Sequence, residues 1–269
     1  MGEIMIRLAG LAKQYEQAFY AAYQHQLRSE HYQAIKSLIH CRTPACGEMQ
    51  YDCEPCQQKQ IFCHSCGHRS CPQCQHPTNS QWLKRQQQKL LPVHYFMVTL
   101  TLPYELRLFV WQHQKAAYSA IFNAATETLN QFAKNDKQLL GKLGMTAVLH
   151  THSRRLEYHP HLHVLIPAGS INSSQTLWRE KNLAYLFNGR ALSAVFRAKF
   201  LAQIKTAKLN IPKTLPKKWI VQCQSVGRGE PALKYLSRYL YRGVITEKNI
   251  LKHQDGNVTF RYKDSQTGA

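Results

Sequence analysis

The order of strand-like and helix-like segments in this chain of 269 residues predicts an α+β fold. Apolar, β-branched runs predict strands, and apolar residues repeated every three or four positions predict helices. Two other features are a run of histidines that alternate with other residues and a cluster of cysteines near the N-terminus. We therefore expect an α+β domain preceded by a small helical and cysteine-rich module.

The N-terminal 40 residues form the first part of this organisation. Residues 6–27 and 32–39 carry apolar side chains at helical spacing, which predicts two amphipathic helices. We expect residues 1–40 to be a helical arm that packs on its own protein. The alternative is an amphipathic helix that binds a membrane or a partner.

Eight of the nine cysteines fall between Cys41 and Cys74 and include three successive C-x-x-C pairs. Each pair lets two thiolates face one ion from a tight turn, and two pairs complete the tetrahedral site that zinc prefers. We expect residues 41–90 to be a zinc-binding module that holds one or two structural Zn²⁺ ions. The expected ligands are, in order of preference, Cys53, Cys56, Cys71 and Cys74, then Cys66 and Cys41, then Cys46 and Cys63, with His64, His68 and His76 as substitutes.

Residues 91–269 alternate between strand-like and helical patterns and are expected to form one α+β domain. The patterns predict a strand over 93–103, a helix over 105–133, a helix over 191–208, a strand over 219–225 and a hairpin over 244–263 that turns at Asp255-Gly256-Asn257.

Five histidines lie within the 14 residues that end at His163. In a strand over residues 158–167, His161 and His163 share one face, because side chains alternate along a strand. Residues 146–152 predict a second strand, and pairing of the two would bring His150 or His152 beside the first pair. Three neutral imidazoles would then be available to a divalent metal ion.

A second group of reactive side chains follows Pro231, which favours the first turn of a helix. On that helix Tyr235 and Tyr239 are four residues apart, so both phenols project from one face. An adjoining basic stripe is formed by Lys234, Arg238 and Arg242.

The charge balance indicates the class of partner. Lys and Arg number 35 against 15 Asp and Glu, which gives a formal net charge of +20 and favours a polyanion. We find no apolar run long enough to span a membrane and no signal-peptide pattern at the N-terminus. The composition therefore favours a nucleic acid as partner, in the cytoplasm, over a membrane.

These motifs resemble those of a known family. His161-Leu162-His163 resembles the HUH motif (histidine, bulky apolar residue, histidine) of single-strand DNA endonucleases. Residues 234–239 resemble the Tyr-x-x-x-Tyr helix of the two-tyrosine HUH transposases of rolling-circle insertion sequences. Those proteins also have a cysteine module before a strand that ends in Thr-Leu-Pro, here Thr101-Leu102-Pro103. The likeness covers residues 35 to 265, although Cys46 and Cys63 are additional and relatives usually continue beyond the last strand.

The resemblance implies a central antiparallel sheet with helices, the histidines on its middle strand and the tyrosine helix across it. It implies that Mg²⁺ or Mn²⁺ is held by His161, His163 and a third ligand. We favour His150 as that ligand, with His152, Glu157 and His159 as alternatives.

The implied activity is attack by Tyr235 or Tyr239 on a DNA phosphodiester, which leaves a 5′-phosphotyrosine and a free 3′-hydroxyl. The other tyrosine would then act on the second strand. The implied partner is DNA, as single strands or hairpin element ends. Its backbone would be contacted by Arg228, Lys234, Arg238 and Arg242.

Three other hypotheses fit parts of the sequence. Residues 159–163 match the H-x-H-x-H pattern of histidine-triad nucleotide hydrolases, which need neither the cysteine module nor the tyrosine pair. A non-enzymatic zinc-module DNA-binding protein would use its histidines structurally. A relaxase or replication initiator of the HUH class would share the chemistry. A metal-dependent covalent tyrosine adduct excludes the first two hypotheses.

Overall fold

A computed structural model describes residues 6–153, 155–181, 185–240 and 246–262, without the side chain of Tyr239. Contacts divide the chain into two compact units. One unit contains the residues up to Trp82 together with residues 246–262, and the other spans Leu83–Leu240. The expected boundaries at residues 40 and 90 stay a prediction.

The helices and strands are numbered along the chain. The helices are α1 (Leu8–Tyr23), α2 (Ser29–His40), α3 (Pro72–Gln87), α4 (Arg107–Gln112), α5 (Gln114–Asn135), α6 (Gly189–Thr206) and α7 (Glu230–Leu240). The strands are β1 (Glu48–Cys53), β2 (Gln58–Cys63), β3 (Tyr95–Thr101), β4 (Lys142–Leu143), β5 (Thr146–His152), β6 (Tyr158–Pro167), β7 (Gly169–Ile171), β8 (Trp178–Glu180), β9 (Ile220–Ser225), β10 (Ile250–Gln254) and β11 (Asn257–Phe260).

In the first unit, α1 packs on α2 and makes hydrogen bonds to β10 and to the turn that precedes it. The backbone nitrogen of Leu8 donates to Oε1 of Glu247 at 2.9 Å, and the Tyr15 hydroxyl lies 2.7 Å from Nε2 of His253. The β10–β11 hairpin turns at Asp255 and Gly256, whose φ angles of 51° and 76° suit a two-residue turn. The predicted turn is thus present.

The second unit is built on a four-stranded antiparallel sheet in the order β5-β6-β3-β9. A smaller antiparallel sheet has the order β4-β7-β8. With helices on these sheets, the predicted α+β fold is confirmed. Strand β6 therefore has neighbours on both sides within the larger sheet.

One face of the larger sheet forms the core. Strands β3 and β6 bury alternate apolar side chains there against α5 and α6, among them Val98, Leu100, Leu162 and Val164. Because side chains alternate, the opposite face of β6 carries His161 and His163. Helix α7 contacts β5 and β6 on that second face.

Some elements differ from the sequence predictions. The single helix expected over 105–133 is interrupted at His113, where α4 ends and α5 begins. The segment between the cysteines and the strand expected at 93–103 is mostly helical, in α3. Elements without a counterpart among the predictions include β8 and the β1–β2 hairpin within the cysteine module. None of the helices that the structure describes is long and apolar enough to cross a membrane.

Candidate active site and metal sites

Pairing of β5 with β6 brings three histidines together. His150 lies directly opposite His161, and Val148 opposite His163. One ring nitrogen from each of His150, His161 and His163 lies within 4.8 Å of the others, a separation that allows a single ion to bind all three. The register between the strands shifts after His150, so His152 pairs with Tyr158 instead. This group is the histidine site.

Hydrogen bonds determine which nitrogen of His161 and His163 can bind a cation. Nδ1 of His161 lies 2.7 Å from the carbonyl oxygen of His159, which can only accept, so this nitrogen carries the proton. Nδ1 of His163 lies 3.0 Å from the hydroxyl of Thr99, on β3. Nε2 of His163 is buried and has no hydrogen-bond partner in the described chain. Because the protein contacts Nδ1 of both rings, Nε2 is the atom that each of these two imidazoles has left to offer a cation.

Burial keeps these imidazoles neutral. Burial, together with the neighbouring histidines, lowers the pKa of His150 to about 2 and the pKa of His163 to about 3. Burial also lowers the pKa of His161, although the bond to the carbonyl oxygen of His159 opposes this. Neutral imidazole is the form that binds metal ions. The histidine site therefore has ligands in the required state at neutral pH.

Tyr235 is placed beside the histidine site by α7. The centroid of its ring lies 5.7 Å from that of His163 and 6.1 Å from that of His150. Helix α7 begins after Gly229, whose φ of +83° and close approach to the Tyr95 ring leave no room for a side chain. Tyr239 belongs to the same helix, and its side chain lies outside the described residues.

The alternative third ligands lie outside the group of three. Nη2 of Arg107 lies 2.8 Å from Nδ1 of His159, and its Nη1 lies 3.9 Å from a carboxylate oxygen of Glu157. A guanidinium can only donate, so Nδ1 of His159 accepts. Nδ1 of His152 lies 3.0 Å from the hydroxyl of Thr151. Among the four candidates for the third ligand, the structure therefore places His150 beside His161 and His163.

Four cysteines form a second group. The sulfur atoms of Cys41, Cys66, Cys71 and Cys74 lie within 4.8 Å of one another at the start of α3. Cys41 and Cys66 are each 3.5 Å from Cys74. Burial opposes ionisation of Cys74, but hydrogen bonds from Cys41, Cys66, Cys71 and the Gly67 backbone together outweigh it and lower the pKa of Cys74 to about 7. Four sulfur atoms at this spacing suit a closed tetrahedral zinc site.

The structure does not bring together the four cysteines that were ranked first. Cys53 and Cys56 lie at the turn between β1 and β2, whereas Cys46 and Cys63 lie near the other end of that hairpin. Five residues of strand separate the ends by about 17 Å. Cys53 and Cys56 therefore cannot bind the same ion as Cys46 and Cys63. Cys71 and Cys74 lie together with Cys41 and Cys66 instead.

The basic residues expected on DNA differ in their surroundings. Nη1 of Arg228 donates to the carbonyl oxygen of Pro92, and Nζ of Lys234 lies 2.8 Å from Oε1 of Glu230. Arg238 is exposed on α7. Arg242 lies outside the described residues.

Two residues that contact the histidines were not identified from the sequence. Thr99 contacts His163, and Arg107 contacts His159. The alternation in Thr99-Leu100-Thr101 indicates that both threonines share the face opposite the core, and this pattern could have identified Thr99. The position of Arg107 depends on how α4 follows β3, which no sequence pattern reveals.

Comparison with known proteins agrees with these two groups. Residues 144–269, which include the histidine site and α7, match a family model described as "Putative transposase". Residues 11–102, which include all eight clustered cysteines, match one described as "Transposase zinc-binding domain". The chain is 31% identical over 284 residues to "Putative transposase y4qJ" of Sinorhizobium fredii (strain NBRC 101917 / NGR234), covering 97% of this chain and 71% of that protein. The chain belongs to this transposase family.

A second relative of this transposase is the transposase for insertion sequence element IS801 of Pseudomonas savastanoi pv. phaseolicola. The two are 27% identical over 272 residues, which cover 90% of this chain and 63% of that protein. Among solved structures, similarity is found to the conjugative relaxase TrwC in complex with oriT DNA. The metal-bound complex gives a TM-score of 0.37 at 20% identity, over 48% of this chain and 49% of the relaxase chain. The metal-free complex gives 0.35 at 21% identity, over 45% and 48%.

Proposed function

We propose that this transposase is a metal-assisted tyrosine transferase that cleaves and joins single-stranded DNA. The observation that carries the proposal is the position of the Tyr235 ring beside three neutral imidazoles. His150, His161 and His163 would hold Mg²⁺ or Mn²⁺. When bound, that ion neutralises negative charge that develops on the phosphate during transfer.

The transfer itself is performed by a tyrosine. The Tyr235 hydroxyl oxygen forms a bond to phosphorus as it loses its proton, and the bond from phosphorus to the 3′-oxygen breaks. The 3′-oxygen takes up a proton, which leaves a 5′-phosphotyrosine on the protein and a free 3′-hydroxyl. Attack by another 3′-hydroxyl reverses these steps and joins strands without ATP. Tyr239, on the same helix, would perform the second transfer.

The cysteine group has a structural part in this proposal. A closed site of Cys41, Cys66, Cys71 and Cys74 leaves no open position on zinc for a substrate. The ion would connect the end of α2 with the start of α3. Basic side chains such as Arg238 would contact the DNA backbone.

The test is a covalent-adduct assay. Single-stranded DNA from the ends of the element, labelled at the 5′ or 3′ side of the cleavage site, is incubated with the protein and Mn²⁺ or EDTA and separated on a denaturing gel. We expect a Mn²⁺-dependent band with the 3′-side label only, absent in Tyr235→Phe/Tyr239→Phe and in His161→Ala. Tyr185→Phe, which changes an exposed tyrosine elsewhere in the unit, is the control.

Two results would contradict the proposal. Tight DNA binding without an adduct under any metal would favour a zinc-module DNA-binding protein. An adduct that survives in the double tyrosine variant would assign the nucleophile to another residue. A relaxase or replication initiator of the same class would form the same adduct, so only transfer between two element ends identifies transposition.

A further inference from the structure

Three large side chains form an exposed stripe next to the histidine site. Tyr104, Leu108 and Trp111 are 74%, 67% and 56% exposed, and their spacing of four and three residues places them on one side of the turn and helix α4. Side chains between them, such as Leu106 and Val110, are fully buried in the core. A contiguous exposed apolar stripe of this kind indicates a binding surface, because burial of apolar area in a complex is favourable.

Direct contacts connect this stripe to β6. The Trp111 ring lies edge-on to Tyr158 with 5.1 Å between centroids, and the Tyr158 hydroxyl lies 2.8 Å from that of Tyr118. The guanidinium of Arg107 lies 4.8 Å from the centre of the Tyr104 ring and also contacts His159. The rings of His159 and His161 are 5.1 Å apart. The stripe therefore continues to within one side chain of the candidate metal ligands.

We propose that Tyr104, Leu108 and Trp111, with Arg107, form a stacking platform for unpaired bases that flank the cleaved phosphate. The inference rests on the proposed function, since it concerns the strand that the histidine site would hold. Aromatic faces and a guanidinium plane stack on any base, without reading its sequence. Bases in a duplex are already stacked and cannot use such a surface. A single strand is thus the occupant that this chemistry fits.

The net charge of the protein favours single-stranded DNA over a second copy of the chain as the occupant of the stripe. Each copy carries a net charge of +20, so two copies repel each other, whereas a strand of DNA is attracted. Arg107 adds a cation beside the stripe, 4.8 Å from the centre of the Tyr104 ring. A polyanion with flat apolar groups is attracted by the positive charge and can also stack on the aromatic side chains.

The test measures binding to a thymidine oligonucleotide of about 20 nucleotides and to a duplex of the same length, in EDTA to prevent cleavage. We expect Tyr104→Ala and Trp111→Ala each to weaken single-strand binding by about tenfold and to leave duplex binding unchanged. Tyr185→Ala, which removes an exposed tyrosine outside the stripe, is the matched control and should bind like the unaltered protein. Trp111→Phe retains an aromatic ring and should keep most of the affinity.

A spectroscopic readout separates stacking from loss of folding. Stacking of a base on Trp111 quenches its fluorescence, so the quench on titration with the oligonucleotide should shrink in Trp111→Phe while binding persists. Tyr104 is largely exposed, so Tyr104→Ala removes little packing and tests the platform even if Trp111→Ala folds poorly.

Several outcomes would overturn the inference. Unchanged single-strand affinity in Tyr104→Ala and Trp111→Ala would do so, as would equal losses for single strand and duplex. Loss of self-association in these variants, measured by sedimentation, would assign the stripe to a second copy. The adduct assay is independent: an adduct with no stacking effect rejects only the platform, and stacking without an adduct rejects only the transferase.

Discussion

At His161 and His163, one ring nitrogen is held by the protein and the other is left for a ligand. For His163, the free nitrogen is buried without a hydrogen-bond partner in the described chain. An unpaired buried polar atom costs about 1–3 kcal/mol, and this cost is removed when a cation binds. A cation bound as proposed would therefore stabilise the protein at this site.

Thr99 is predicted to support metal binding although it is not a ligand. Thr99→Val keeps the size of the side chain but removes the hydroxyl that lies 3.0 Å from Nδ1 of His163. We expect the affinity for Mn²⁺, measured by calorimetry, to fall about tenfold or more. Thr101→Val makes the same chemical change on the same face of β3 and serves as control. Equal affinities in the two variants would show that His163 is oriented by packing alone.

At the scale of elements, the position of α7 depends on the turn that precedes it. A Cβ at Gly229 would lie 2.9 Å from the Tyr95 ring, whereas one at Gly227 would meet nothing within 4 Å, and both residues have positive φ. We expect Gly229→Ala to lower the free energy of unfolding by about 1 kcal/mol more than Gly227→Ala. Urea unfolding measures the difference.

The same pair of variants tests whether the turn positions the nucleophile. Because α7 carries Tyr235, a shift at its start should reduce adduct formation by Gly229→Ala at temperatures where the variant is folded. Gly227→Ala should keep most of its activity. If Gly229→Ala forms adduct as fast as Gly227→Ala, the turn matters for stability but not for the position of Tyr235.

The cysteine group makes a prediction about metal content. Cys74 lies between Cys41 and Cys66, so Cys74→Ala should lose about one zinc ion per chain, measured on purified protein. Cys46, whose thiol donates to the carbonyl oxygen of His40, lies outside the group. Cys46→Ala should therefore keep that zinc. A loss in Cys46→Ala equal to that in Cys74→Ala would contradict the assignment of ligands.

The sequence predicted features that depend on local periodicity or on local turn residues. It predicted less well the features that depend on how separate elements pair and pack. Alternation placed His161 and His163 on one face, and Asp255-Gly256 predicted a hairpin turn. Strand patterns alone left His150 and His152 both open beside the pair, and His150 was favoured only through the family resemblance. The register shift after His150, which no residue type indicates, is what separates the two in the structure. Which cysteines lie beside Cys71 and Cys74 depends on the β1–β2 hairpin, because Cys53 and Cys56 lie at its turn. The interruption at His113 occurs without proline or glycine, so no helix-breaking residue in the sequence indicates it.

At the scale of the whole molecule, net charge and individual side chains act differently. A charge of +20 attracts DNA without reading its sequence, and binding of this kind weakens steeply with salt. Some basic residues also bond within the fold. Arg228 and Arg238 are both exposed, but a guanidinium nitrogen of Arg228 donates to the carbonyl oxygen of Pro92.

This contrast gives a prediction for two arginines of the same expected role. Arg238→Gln should reduce the slope of log affinity for single-stranded DNA against log salt by about 0.7, because one phosphate contact is lost. Arg228→Gln should leave that slope nearly unchanged and instead lower the free energy of unfolding by about 1 kcal/mol, since a bond to the backbone is removed. Salt titrations and urea unfolding of both variants provide the comparison. If the two variants change the slope equally, Arg228 leaves Pro92 to contact DNA, and the charge on this surface acts as one continuous field rather than through separate side chains.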